Sequence, residues 1–272
     1  YCALDVNGAQ VQGPTIAIVG IVHGNEPVGR QLIDLIRERT PNCLRSGVLL
    51  TVEANPEAHR EGRRHTREGV DLNRLWGAVA LREVMQKRPS ERCYEEHRVL
   101  EVAPILESVD FILDFHSTTS PSPPFLVFRD DQAHALIGSQ LGVSYMVTGL
   151  HEGGVLRGGM CPDVGLSPAD SNARVGFTYE AGQHDDPTNV IRAYQIFVRL
   201  LNIHEMWAEA ADRVPVDFEH QVFEVMNSFR QTVEGADSWR FVGHRGGEPG
   251  FGRVGAPREL GSFESVESGE LV

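Results

Sequence analysis

The sequence predicts an α/β fold, with a mostly parallel central sheet flanked by helices. Three observations carry this. Short, continuous apolar runs are bounded by turn residues, as strands covered on both faces require. Such runs alternate with helical periodicity. Polar residues with chemical potential also recur just after the apolar runs, where parallel α/β proteins place their sites.

The first unit spans "TIAIVGIV" (15–22), "EPVGRQLIDLIRER" (26–39) and "GVLLTVEA" (47–54). The outer two read as strands. The middle one carries Val28, Leu32, Leu35 and Ile36 at helical spacing, with Pro27 in its first turn, where a missing N–H costs little. Strand, helix, strand in this order predicts a right-handed parallel crossover. Further strands are expected at "DFILDF" (110–115), "FLVF" (125–128) and "RVGFTYE" (174–180), and a long helix at 189–213. After Val214 the pattern changes to "HQVFEVMNSFRQTV" and Gly- and Glu-rich short segments. Residues 1–214 are therefore expected to form the α/β domain and 215–272 a smaller C-terminal β domain, the chain being read as a fragment of a longer protein.

With 41% hydrophobic and 23% charged residues, the 272-residue chain has the composition of a soluble protein with a full core. A net charge of −13 argues against a nucleic-acid surface. It leaves room for an anionic substrate, because clustered arginines can reverse the field inside a pocket. No apolar run is long enough to span a bilayer. The four cysteines, Cys2, Cys43, Cys93 and Cys161, form no CxxC pair and read as reduced thiols, so a cytoplasmic location is expected. A homo-oligomer is compatible with this composition.

Four stretches carry candidate chemistry. In "HGNE", His23 and Glu26 follow the first strand three residues apart, a spacing that lets both converge on one metal ion. Zinc accepts imidazole nitrogen and carboxylate oxygen, and its catalytic sites keep one position open beside three protein ligands. Alone, the pair is a weak signal, and Glu26 as a helix cap with His23 as a satisfied polar residue is the better reading. "LDFHSTTS" (113–120) places His116 after a second strand, with Asp114 two residues earlier on the same face. "HREGRRHTREGVDLNRLW" (59–76) is too polar for a core strand. It offers Arg63, Arg64 and Arg67 before Asp71, Asn73 and Arg74. Arginine's planar fork suits carboxylates, and asparagine adds a directional hydrogen bond. A solvated loop explains the arginines but not the compact "DLNR". Finally, "GFTYEAGQHDDP" (176–187) ends a strand with Glu180, and Gly182 then lets the chain turn. A carboxylate there can take a proton from an attacking water and return it to a leaving amine.

In this order, "HGNE", "DLNR", "DFHSTTS" and "TYEAG" resemble the succinylglutamate desuccinylase/aspartoacylase family, of the wider zinc-carboxypeptidase-like fold, over about residues 15–215. The resemblance implies one zinc ion held by His23, Glu26 and His116, and Glu180 as general base and then acid in amide hydrolysis. It implies that Asn73 and Arg74 grip the substrate's carboxylate, and that an earlier arginine polarises the scissile carbonyl. Arg64 is assigned that role, with Arg63 and Arg67 as alternatives, and Asp71 is assigned to loop support. Arg157 and Arg174 are candidate further anchors. The expected activity is zinc-dependent deacylation of an N-acyl amino acid or related small carboxylate. A zinc carboxypeptidase acting on short peptides and a non-catalytic zinc-binding protein are the alternatives.

Overall fold

The computed structural model describes residues 2–4, 13–40, 43–129, 131–150, 158–166 and 174–207, with the short strands 221–224, 227–230 and 239–242. Among the described residues the strands are β1 (Cys2–Leu4), β2 (Thr15–Gly20), β3 (Val48–Glu53), β4 (Phe111–Thr118), β5 (Phe125–Val127), β6 (Tyr145–Thr148), β7 (Val175–Gln183), β8 (Gln221–Glu224), β9 (Asn227–Arg230) and β10 (Trp239–Val242). The helices are α1 (Val28–Arg39), α2 (Pro56–Glu61), α3 (Ala78–Gln86), α4 (Tyr94–Glu107), α5 (Gln132–Gln140) and α6 (Asn189–Ile203).

Eight strands form one sheet in the order β1-β3-β2-β4-β7-β5-β6-β8, and β9 pairs with β10 separately. The central four, β3, β2, β4 and β7, are mutually parallel. Direction reverses between β7 and β5, after which β5, β6 and β8 run parallel to one another. The expected α/β class is therefore observed. β8 extends the main sheet from a segment past residue 214, and most of 215–272 lies outside the described residues.

Alternation along the strands builds two cores. Ile16, Ile18, Phe111, Leu113, Phe115, Phe177 and Tyr179 point to the face covered by α1 and α6. Ala17, Val19 and Ile112 point to the opposite face, against Val99, Val102 and Leu106 of α4. Past Ile112 that second face turns polar, because Asp114 and His116 follow at two-residue steps, both essentially fully buried.

Several elements differ from expectation. α6 stops at Ile203 rather than 213: Glu205 adopts φ +54°, and the buried Met206 and Trp207 fold back, with Trp207 bridging Leu44. Pro27 is the N-cap of α1 rather than a first-turn residue. Helices α2, α3, α4 and α5 and strands β1 and β6 carry no forecast in the sequence, although Val99, Val102, Ala103 and Leu106 of α4 lie at helical spacing and are buried. The turn that ends β2 falls at Ile21, whose φ of +52° is costly for a β-branched side chain. Backbone bonds from Ala54 to Gly20 and from Asn55 to Ile21 hold it.

Glycine then serves close approach. A Cβ on Gly24 would lie 2.1 Å from the Ala58 carbonyl carbon, so the loop rests directly on α2. Likewise Gly29 of α1 crosses Gly20 of β2, where a Cβ on Gly29 would lie 2.6 Å from the Gly20 Cα. This glycine-on-glycine crossing fixes the loop 21–27 that carries His23 and Glu26.

Gly29→Ala gains about 1 kcal/mol of helix propensity but forces a methyl group into immovable backbone, a strain of about 1–3 kcal/mol. We expect a net loss of stability, read as a Tm several degrees below the parent chain's. An unchanged or raised Tm contradicts the crossing.

Candidate metal centre and its surroundings

His23, Glu26 and His116 come together, all buried, with one donor atom of each within 4.8 Å of the others. The Nδ1 of His23 lies 2.7 Å from Glu26 Oε1, and the Nδ1 of His116 lies 2.9 Å from Glu26 Oε2. The two Nδ1 atoms face each other at 3.1 Å, with the rings edge to face. Each Nε2 meets a carboxylate: His23 with Asp71 Oδ1 at 3.0 Å, His116 with Asp114 Oδ2 at 2.7 Å. A neutral imidazole donating from Nε2 has its lone pair on Nδ1. With both rings in that form, two lone pairs and a carboxylate oxygen converge on one point, the donor arrangement that a small divalent cation takes. A carboxylate behind each histidine is also how proteins orient metal-binding imidazoles. The donor set therefore fits zinc.

The electrostatics follow from burial. Desolvation alone would raise the Glu26 carboxyl, but His23 and His116 together hold it well below the usual range. Burial would lower His116, yet Asp114 and Glu26 raise it well above the ordinary imidazole value. Desolvation opposes ionisation of Asp71 too, and is outweighed by His23, Arg64 and Arg74.

Glu180 stands directly across from His116 in the β4–β7 ladder, so both side chains leave the same face of the sheet. Burial pushes its carboxyl up to about 7; the Glu26 charge adds to this, while His116, His23 and Arg64 oppose it. Its Oε2 is buried without a hydrogen-bond partner among the described residues. An orphaned, reluctantly ionised carboxylate beside a cluster of metal-ligand donors is suited to proton transfer.

Asp71 ties the neighbouring loop to the cluster. It caps the short 3-10 turn Leu72–Arg74, accepting the Asn73 N–H at 2.9 Å through the same Oδ1 that meets His23. Its Oδ2 accepts from Arg64 at 3.0 Å. Asp71 therefore supports a histidine as well as the loop, a link 48 residues long that the sequence reading did not contain. Asn73 is buried, and its Oδ1 accepts from the Cys161 N–H, so its amide donors are what it offers to other groups. The Arg74 guanidinium donates to the Asn73 carbonyl and lies 4.0 Å from Asp71.

Of the three arginines, Arg64 lies against the cluster, its Nη1 3.5 Å from Glu26 Oε1. Arg63 instead reaches toward Glu61, and Arg67 lines a separate cavity with Glu57, Glu61 and Tyr94. Arg174 is no anchor at this site: it precedes β7, at the strand end away from Glu180, and donates to the carbonyls of Glu107 and Val164. Arg157 lies outside the described residues.

Fold and site together define an α/β protein with a buried donor cluster, suited to a metal ion, at the carboxyl edge of its parallel strands. The chain belongs to the succinylglutamate desuccinylase/aspartoacylase family, whose catalytic-domain model matches residues 12–195. This is a family of hydrolases that cleave amide bonds in small molecules. Among solved structures, the chain is similar to the ectoine utilization protein EutE (DoeB) of Ruegeria pomeroyi, with a TM-score of 0.60 and 19% identity over 80% of this chain and 65% of that one. It is similar to the succinylglutamate desuccinylase of Chromobacterium violaceum, with a TM-score of 0.62 and 18% identity over 85% and 74%. An aspartoacylase family protein of Mesorhizobium loti gives a TM-score of 0.58 and 18% identity over 94% and 85%. At these identities the likeness is one of fold. The chain spans slightly under two thirds of the EutE structure's length. None of the curated proteins matches it. No helix among the described residues is long and apolar enough to cross a membrane.

If Asp114 orients His116 for a cation, Asp114→Asn weakens zinc binding by about tenfold or more, measured by competition with a chromophoric chelator. Parent-like affinity in a folded variant contradicts this role.

Proposed function

We propose that the chain is a zinc-dependent amidohydrolase that removes the acyl group from an N-acyl amino acid or a related small carboxylate. The observation that carries this reading is the Glu180 carboxyl in register with His116, held up to about 7, its Oε2 buried without a partner among the described residues. A structural ion-pair network would give that oxygen a partner.

His23, Glu26 and His116 would hold the zinc ion. When bound, zinc supplies Lewis-acid polarisation of the amide carbonyl and acidifies a water molecule. Glu180 takes the proton from the attacking water and delivers it to the departing amine. Its raised affinity for protons places it between the two tasks, since a good base here must also become a good acid. Arg64, part exposed beside Glu26, directs positive charge at the carbonyl oxygen as it becomes an oxyanion. Asn73 and Arg74 hold the substrate's carboxylate through amide and guanidinium donors. The same Asp71 that orders the Asn73 turn also restrains Arg64 and His23, so binding of the carboxylate and placement of the carbonyl are linked through one residue. We extend the reading to residues 1–214 as the hydrolase domain, 215–272 as a smaller β domain beyond it, and a cytoplasmic location.

Glu180→Gln removes the proton carrier while keeping size and shape. Zinc content stays near one per chain, and turnover falls by about 10²–10⁴-fold. The assay is release of free amine from a panel of N-acyl amino acids and short peptides, with and without a chelator. Retained turnover in Glu180→Gln contradicts the assignment, and cleavage of peptides alone moves the substrate class to C-terminal peptide bonds.

A further inference from the structure

The β4–β7 ladder is broken next to the catalytic candidates. It pairs His116 with Glu180 and resumes at Thr118 with Gln183, so Ser117 alone faces both Ala181 and Gly182. Gly182 takes φ +107°, which only glycine adopts readily. A bulge of this kind costs regular ladder bonds and leaves peptide groups that need other partners. Here the Ser117 N–H donates to Glu26 Oε2 at 3.0 Å, which makes this peptide one of the contacts that orient that carboxylate.

His184 closes the gap. Its backbone N–H donates to the Thr118 carbonyl at 2.9 Å, and its Nδ1 lies 2.8 Å from Ser117 Oγ. The other ring nitrogen, Nε2, is 3.5 Å from Thr119 Oγ1. Both nitrogens are thus turned to hydroxyls at the end of β4. Ser117 is only 3% exposed, so its hydroxyl depends on a protein partner. The chain of contacts runs from His184 to the Ser117 side chain, then through the Ser117 peptide to Glu26, and beside it to His116.

We propose that His184 is a positioning residue for the Glu26 arm of the metal centre, acting through Ser117 across the β7 bulge. This rests on the reading of His23, Glu26 and His116 as a zinc site. A side chain locked in this way fixes the tilt of the Ser117 peptide, and that tilt sets where the Glu26 oxygens lie relative to the two imidazoles. Without it, Ser117 loses its tie at the bulge, and only the backbone pairing beyond it, from Thr118 onward, still joins β4 to β7.

The test is zinc affinity of the full chain, stripped of metal by a chelator and titrated against a chromophoric competitor, with the Tm of each metal-free variant in parallel. His184→Ala weakens zinc binding by about tenfold. Ser117→Ala, which keeps the peptide N–H and loses the hydroxyl, weakens it to the same extent, and the double variant adds nothing further. His184→Asn, whose amide reaches the place of Nδ1, restores parent affinity, whereas His184→Gln, whose amide lies near the place of Nε2, does not. If His184→Ala fails to fold, the Asn and Gln variants carry the comparison. Parent-like affinity in folded His184→Ala or His184→Gln overturns the proposal while leaving the zinc site standing, and so does His184→Asn as weak as His184→Ala. A parent chain that takes up no zinc overturns the zinc site, and this proposal with it.

Discussion

Two imidazole nitrogens 3.1 Å apart, each against a buried carboxylate oxygen, are the constraint on which the rest of this structure depends. In that desolvated space the surrounding protein must hold the donors converged, whether a proton, which Asp114 and Glu26 favour on His116, or a metal ion lies between them. It does so from three directions. Asp71 and Asp114 fix the far sides of the two rings, the Ser117 N–H fixes Glu26 from behind, and Arg64 approaches its other oxygen.

The two glutamates of the site show how position divides chemistry between identical side chains. Glu26 and Glu180 are both in desolvated surroundings, and burial is the largest influence on each. Glu26 lies within hydrogen-bonding distance of both histidines and is driven to the carboxylate, the form a ligand requires. Glu180 stands one step away, feels Glu26 as a like charge, and keeps an oxygen without a partner. Separation of proton affinities between neighbouring carboxyls is the usual mark of an acid–base assignment. The sheet enforces it: His116 and Glu180 are level in the ladder, whereas Glu26 reaches the same point from a loop held by the Gly20–Gly29 crossing.

Much of this was legible in the sequence, for identifiable reasons. Apolar runs with polar residues at their ends exposed β2, β4 and β7, and with them His23, His116 and Glu180. Strand alternation alone puts Asp114 on the same face as His116. What stayed hidden depends on long-range placement. Nothing local in "DLNR" says that Asp71 reaches His23, since that bond joins residues 48 apart. The turn at Ile21 has no local signal, because a positive φ falls there on a β-branched residue, while Gly24 nearby is needed for close approach to α2 instead. Arg174 looked like a substrate anchor by residue type alone, yet it leads into β7 at the far end from Glu180. His184 and Ser117 sat in the quoted motifs without a role, because a bulge has no sequence signature beyond Gly182.

X-ray absorption at the zinc edge of the purified full chain tests the central claim most directly. The account predicts one zinc per chain, bound by two imidazole nitrogens and carboxylate oxygen at about 2.0–2.2 Å, with one imidazole shell lost in His116→Ala. A zinc-loaded spectrum without imidazole scattering, or one that His116→Ala leaves unchanged, would contradict it.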